Sequence, residues 1–353
     1  MSAVLTSNGA PLDDAQQRSE GVWHAAWRRY KSDRVGFGSL LVVLVFLLLI
    51  LLAALGLVAK DWQQEVGVPN ARPTLIGPAP PQAATIVDVP QGPNVDLSDI
   101  DPLAPRYKEW DERAKQFQTA EVPKAKTLPA GGDRLGRDVL DKAIKGTQVS
   151  VFVGVLAAIV ATTLGTLLGA LGGFFGGKIG DFLEWLYNVI EAIPNILLIF
   201  AIAAALNQRG VTNVVLILGL TGWAGMYRQV RAEFMKHSSR EYVRAAEAIG
   251  ASPWSRMFRH ILPNVSHVVL VRMSLLVVGF IKAEVILSYL GLGVPVDQVS
   301  WGTMLAEAQS ELILGHWWQL VAATVFMATF VTAFSLMADA WRDALDPKLR
   351  GLE

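Results

Sequence analysis

Ser238-Ser-Arg-Glu-Tyr-Val-Arg-Ala-Ala-Glu-Ala-Ile-Gly250-Ala-Ser-Pro253 lies between two apolar runs, Val211–Met226 and Val265–Leu290. Ser238 followed three residues later by Glu241 has the capping-box pattern that opens a helix, and Gly250 supplies the residue that stops one. The spacing predicts a helix of about three turns. Ser252 then reads as an N-cap with Pro253 at the first helical position, and Pro263 is expected to end that second short helix. Ala245, Ala246 and Ala248 keep the first helix thin, while Arg244 and Glu247 flank them with charge. A thin, capped helix held between two apolar spans suits docking into a groove on another protein. A membrane-surface amphipathic helix is the other reading of the same residues.

Outward from this loop the chain is built for a bilayer. It has 353 residues, of which 52% are hydrophobic and 18% charged, with a mean hydropathy of +0.37. A soluble chain carries about a quarter charged residues, so the deficit argues against a cytosolic enzyme. Val35–Ala59 contains no charged residue and is long enough to cross about 30 Å of hydrocarbon with some tilt. It is too long and starts too late for the core of a signal peptide, and is read as a retained first span. Ser150–Phe175, Trp185–Leu206, Val211–Met226, Val265–Leu290 and Trp317–Ala338 follow, which predicts an all-α integral membrane protein with six transmembrane helices. The absence of cysteine excludes disulfides, thiolate metal sites and cysteine nucleophiles.

The 31 basic and 31 acidic side chains cancel overall, so no global bias toward nucleic acid exists, but the signs are segregated. The 227–264 connection carries Arg228, Arg231, Lys236, Arg240, Arg244, Arg256 and Arg259, whereas Gly291–His316 has no Lys or Arg. The positive-inside bias then puts both termini and the 227–264 loop in the cytoplasm, with Asp297, Glu307 and Glu311 outside. The expected organisation is a cytoplasmic segment 1–34, a first span 35–59, a long external segment 60–148, a core of five spans 149–341 and a cytoplasmic tail 342–353. The external segment begins rich in proline (Pro69, Pro73, Pro78, Pro80, Pro81, Pro90, Pro93), which favours extended or irregular chain. Arg106–Gln118 reads either as a short amphipathic helix or as a solvated linker.

Within the second span, steps of four from Ala157 give Ala161, Gly165, Gly169, Gly173 and Gly177. This bulk-free stripe lets another helix approach closely, and intrachain packing is favoured over an intersubunit role. Gly172–Lys178 imitates a phosphate-binding loop, but Ile179 stands where Ser or Thr would bind Mg²⁺ and no strand precedes it; no nucleotide site is read there. Ionisable residues in apolar runs are functional candidates: Glu191 in the third span, with Asn188 close by, and Arg272, Lys282 and Glu284 in the fifth. Arg272 and Lys282 can snorkel. For Glu191 and Glu284 a helix–helix contact and a place on a water-filled pathway are both open. Pro194 is placed to kink the third helix. His24, His237, His260, His267 and His316 are scattered, and no Asp dyad or nucleophile elbow is present, so no catalytic, cofactor or metal site is expected.

Arg244-Ala245-Ala246 with Gly250, followed by Leu262-Pro263, resembles the loop signature of permease subunits of ATP-binding-cassette importers. Arg244 and His260 depart from the general consensus in the manner of the peptide and nickel branch, where Arg-His-Ile-Leu-Pro-Asn (here Arg259–Asn264) is common. Gly132-Asp-Arg-Leu-Gly-Arg-Asp138, Glu284–Gly293, Ser300-Trp-Gly-Thr-Met304 and Asp339–Pro347 also resemble that branch in order and spacing. The likeness is to the "C"-type permease of dipeptide and oligopeptide importers and covers nearly the whole chain apart from Lys60–Leu128. Trp185 and Asn188 stand where that family often has Arg and Asp.

The resemblance implies the type I importer permease fold and half of a translocation pathway for peptides. The implied partners are a homologous second permease, two ATPase subunits that use ATP and Mg²⁺, and a periplasmic or lipid-anchored solute-binding protein. In that assembly, seated in the inner membrane, Tyr242, Arg244, Ala245, Ala246, Glu247, Gly250, Ser252 and Pro253 would form the coupling surface. Import of nickel or a peptide-like compound by the same assembly is the alternative. A self-sufficient ion-coupled transporter would need inverted repeats or a row of membrane carboxylates, and only Glu191 and Glu284 are available.

Overall fold

In the computed structural model, which describes residues 22–78, 101–103, 106–116, 123–295 and 297–345, the chain is mostly helical. In order the elements are α1 (Val22–Ser32), α2 (Arg34–Ala54), β1 (Gly67–Pro73), α3 (Tyr107–Gln116), β2 (Ala125–Leu128), α4 (Val139–Phe175), α5 (Gly177–Glu191), α6 (Asn195–Leu206), α7 (Val211–Thr221), α8 (Trp223–Ser238) and α9 (Glu241–Ala248). Next comes α10 (Pro253–Ser255), which runs through a π-helical turn (Arg256–Ile261) into α11 (Leu262–Tyr289). The series closes with α12 (Trp301–Ile313) and α13 (Trp318–Leu345). The prolines at 80, 81, 90 and 93 and the tail from 346 onward lie outside the described residues.

Two compact units are present: one comprises 1–60, 143–307 and 323–353, the other 61–142 and 308–322. Among the described residues, α2, α4 and α13 are long and apolar enough to cross a membrane, and the pair α5–α6 adds a fourth crossing if counted together. That pair is bent by 83°, which corrects the expected kink to a full break. Pro194 has no N–H to continue the helix and disfavours helical backbone at Ile193. The fourth apolar run is also interrupted: α7 stops at Gly222, where a Cβ would lie 2.3 Å from Phe280 Cζ, and α8 continues to Ser238.

The larger unit is held by close helix contact. A Cβ on Gly165 would stand 2.6 Å from Met226 Cβ, on Gly169 2.8 Å from Tyr227 O, and on Gly173 2.5 Å from Arg231 O. Ala157 and Ala161 are fully buried on the same face. The stripe therefore seats α8 within the same chain, where van der Waals contact replaces the hydrophobic drive that lipid removes. Gly177 is the exception: its φ is +46° and nothing lies near its Cβ position, because α4 ends at Phe175. Above the stripe, Val151, Val153, Leu218, Ile281 and Phe330 form the main core. At the opposite end, Asp33 caps α2 by accepting from Val35 N at 3.0 Å, and Tyr30 stacks on Trp341.

The smaller unit corrects the all-α expectation. β1 and β2 pair in parallel, with Gly67 opposite Ala125 and Pro73 opposite Leu128. α3 is helical, with Arg113 paired to Glu109. The Gly132–Asp138 motif is an ionic knot around Asp133, which is wholly buried. Its Oδ1 accepts from the backbone N–H groups of Leu135 and Arg137, both at 2.9 Å. Its Oδ2 takes Arg137 Nε at 2.6 Å and Lys142 Nζ at 2.8 Å. Trp318 Nε1 donates to Gly132 O at 2.7 Å, and Glu311 accepts from Arg134 N at 3.0 Å. Burial alone would raise the Asp133 pKa, but the charges and hydrogen bonds of Lys142 and Arg137 outweigh it and hold the carboxyl below its ordinary value of 3.8.

Candidate functional site

Two regions of the larger unit concentrate the predicted functional residues. The first is α9 and its flanks. Glu241–Ala248 makes two turns where three were expected, and the Ser238 capping box is absent. α8 runs through Ser238, whose hydroxyl donates back to Met235 O at 2.8 Å, so Arg240 takes the N-cap position without a side-chain bond. The stop is as read: Gly250 has φ +86°, its N–H donates to Glu247 O, and Ala251 N–H donates to Ala246 O. These paired bonds form a Schellman motif. Ser252 Oγ accepts from Ser255 N at 3.3 Å with Pro253 behind it. Pro263 does not end the next helix. The π-helical turn widens the spiral just before the residue that lacks an N–H, and Asn264 Nδ2 donates to His260 O at 2.7 Å.

α9 is fixed on one face and open on the other. Val243 is buried with Phe234, Met257, Ile261 and Val265, which ties it to α8, the π-turn and α11. Ala246 is buried as well, so it faces its own chain rather than an open docking surface. Glu247 pairs with Arg256 at 2.7 Å, and the Arg256 guanidinium lies over Phe174. Tyr242 OH is 2.8 Å from His237 Nδ1. Burial pushes His237 below its ordinary 6.5 despite the opposing pull of Glu233, and burial raises the Tyr242 phenol. The open face holds Arg244, Ala245, Ala248 and Gly250. Ile249 at 86% exposure and Trp254 at 57% complete it. Ile249 was not singled out from sequence, although a helical projection already places it away from Val243.

The second region is the break between α5 and α6. A crevice of about 330 Å³ opens there, lined by Glu191, Asn195, Thr221, Gly225, Arg272 and Phe280 among others. Arg272, a candidate that can also snorkel, lines the same crevice as Glu191. The other pathway candidates go elsewhere. Asn188 lines a shallower hollow of about 530 Å³ with Asp181, Glu184, Trp185 and Arg231. Lys282 is exposed. Glu284 is wholly buried and accepts at 2.7 Å from Ser288 Oγ one turn further along α11. Ser288 Oγ in turn accepts from Val294 N at 3.0 Å. Among the described residues no cluster of His, Asp or Glu could hold a metal ion.

Residues 161–351 match the family model described as binding-protein-dependent transport system inner membrane component. The oligopeptide transport system permease protein OppC of Bacillus subtilis is 34% identical over 70% of this chain and 81% of its own length. The dipeptide transport system permease protein DppC of the same organism is 35% identical over 62% of this chain and 68% of its own. The glutathione transport system permease protein GsiD of Salmonella typhimurium is 37% identical over 63% and 72%. A chain of the methionine transporter MetNI in an inward-facing conformation aligns over 58% of this chain and 96% of that one, at 14% identity and a TM-score of 0.49. The family match takes in the capped loop, the glycine-packed helices and the crevice alike, and this chain belongs to the inner-membrane components of binding-protein-dependent transport systems, a family of transporters rather than enzymes.

Proposed function

We propose that this chain is one permease subunit of a peptide importer and forms half of its translocation pathway. In this reading α2, α4, α5–α6, α7 with the first turn of α8, α11 and α13 are the six spans, with both termini and the 227–264 loop that holds α9 in the cytoplasm. A homologous permease supplies the other half, two ATPase subunits use ATP and Mg²⁺, and an external solute-binding protein delivers the cargo. This chain itself binds no nucleotide or metal. The peptide class rests on the printed names of the oligopeptide and dipeptide relatives.

The observation that carries the mechanism is the two-faced α9. Its inner face shares one core with α8 and α11 through Val243, Met257 and Ile261, while Ile249 and its neighbours are exposed. A helix so anchored moves as a rigid lever: closure of the ATPases displaces α9, and α8 and α11 tilt with it, as in rigid-body switching. The 227–264 loop is basic, whereas Gly291–His316 has no Lys or Arg, which supports a cytoplasmic seat.

The chain has no cysteine, so Ala245→Cys introduces a unique thiol on the open face of α9. A short bifunctional crosslinker on the assembled importer is expected to join it to an ATPase subunit, with a yield that changes on ATP binding. Capture of the external binding protein instead would invert the proposed topology.

A further inference from the structure

The crevice at the α5–α6 break contains both members of a charge pair that do not pair with each other. Glu191 and Arg272 line the same hollow, Glu191 exposed and Arg272 half-buried, and among the described residues no ion pair or side-chain hydrogen bond joins them. Arg272 Nε is buried with no hydrogen-bond partner. Gly225 makes room for the guanidinium, since a Cβ there would sit 2.9 Å from Arg272 Nη2. A guanidinium nitrogen buried without a partner in an apolar bundle is costly and marks a candidate site of function.

The broken helix adds two poles of its own. α5 ends at Glu191, so its last carbonyls point into the break as a negative end. α6 begins at Asn195 with no side-chain cap, leaving its first N–H groups as a positive end. The crevice thus offers a carboxylate with a helix C-terminus on one side and a guanidinium with a helix N-terminus nearby. Its volume of about 330 Å³ falls within the range of about 300–1,000 Å³ typical of small-ligand sites. A neutral solute or an ion of single sign would leave one of the two charges unmatched. A short peptide with free ends satisfies both.

Resting on the permease reading above, we propose that this crevice is a station for zwitterionic peptides on the translocation path, with Arg272 receiving the terminal carboxylate and Glu191 the terminal ammonium. Apolar Leu276 and Phe280 on the wall tolerate varied side chains between the two ends. The assignment concerns the termini of the cargo and not its sequence.

The test uses the whole importer in lipid nanodiscs, without its binding protein, and measures competition against radiolabelled trialanine. The competitors are trialanine, trialanine amide and N-acetyl-trialanine. Wild type is expected to bind each blocked form at least about tenfold more weakly, the scale of a lost hydrogen bond to a charged group. Arg272→Gln should erase the preference over the amide and keep the preference over the acetylated form. Glu191→Gln should do the reverse, and Arg272→Lys should retain discrimination. General damage would lower both preferences together, so selective loss is diagnostic. If wild type shows no preference, or Arg272→Gln keeps full discrimination against the amide, the station is refuted. The importer's ATP-driven uptake of trialanine, assayed with the binding protein present, separates the two readings. Uptake with unchanged preferences in the variants removes only the station, and no peptide uptake at all removes the permease reading with it.

Discussion

Asp133→Ala is expected to destabilise the smaller unit by about 3–5 kcal/mol, the cost of breaking a buried ion pair from one side. The substitution strips a carboxylate from the Lys142 ammonium, which is 1% exposed, and from Arg137 Nε, and it abandons the N–H groups of Leu135 and Arg137. Hydrogen exchange of the backbone around residues 125–142 in the full chain measures it: opening should accelerate by about two to nearly four powers of ten. The pH dependence carries a definite sign. Because the folded carboxyl titrates below 3.8, its contribution is complete above that ordinary value and is lost as pH falls through the lower, folded one. Between pH 5 and 7 the wild-type unit should therefore show no loss from this group. Wild-type exchange rates in the variant would show that the knot is not what holds the unit.

Ile249→Asp is expected to weaken capture of the ATPase subunits by about thirtyfold, the effect of deleting a central apolar anchor from an interface. Ile249 lies just past the end of α9, 86% exposed, beside the fixed turn of Gly250. An aspartate there leaves the fold intact but puts a charge where an apolar groove would close. Folded yield should match wild type, while copurification of the ATPases and peptide uptake fall together. Val243→Asp is the contrast, since that side chain is buried with Met257 and Ile261 and its loss should reduce folded yield. Normal ATPase capture by Ile249→Asp would move the interface off this face of α9.

Much of this was legible in the sequence wherever a local rule decides the outcome. The step of four through Gly165, Gly169 and Gly173 marked a face before its partner was known, and α8 is that partner. Gly250 and Ser252 were readable because a left-handed stop and an N-cap are properties of a few adjacent residues. The Ser238 capping box failed for a complementary reason: α8, anchored by Val230 and Phe234, extends through the serine and turns its hydroxyl to Met235 O. Pro263 misled in the same way, since a π-helical turn absorbs the missing donor.

Features assembled from distant segments were not legible. β1 lies in the proline-rich stretch whose composition favours extended or irregular chain, but its partner β2 is distant in sequence, and their pairing joins Gly67 to Ala125. The Gly132–Asp138 motif was visible as a string of residues, but its meaning needed Lys142, Trp318 and Glu311 around Asp133. Arg272 carries two readings in the sequence, a functional cation in an apolar run or a side chain near the inner interface that snorkels. What places it in a crevice is Gly225 and the broken ends of α5 and α6.

The central claim is that this chain is a peptide pathway driven by the chemistry of other subunits. Proteoliposomes containing this chain and its partner permease, loaded with radiolabel-free buffer and given labelled trialanine with the binding protein outside, test it directly. Uptake should require the ATPase subunits and ATP together and vanish when either is withheld. Undiminished trialanine uptake by the two permeases alone, without ATPases, would contradict it.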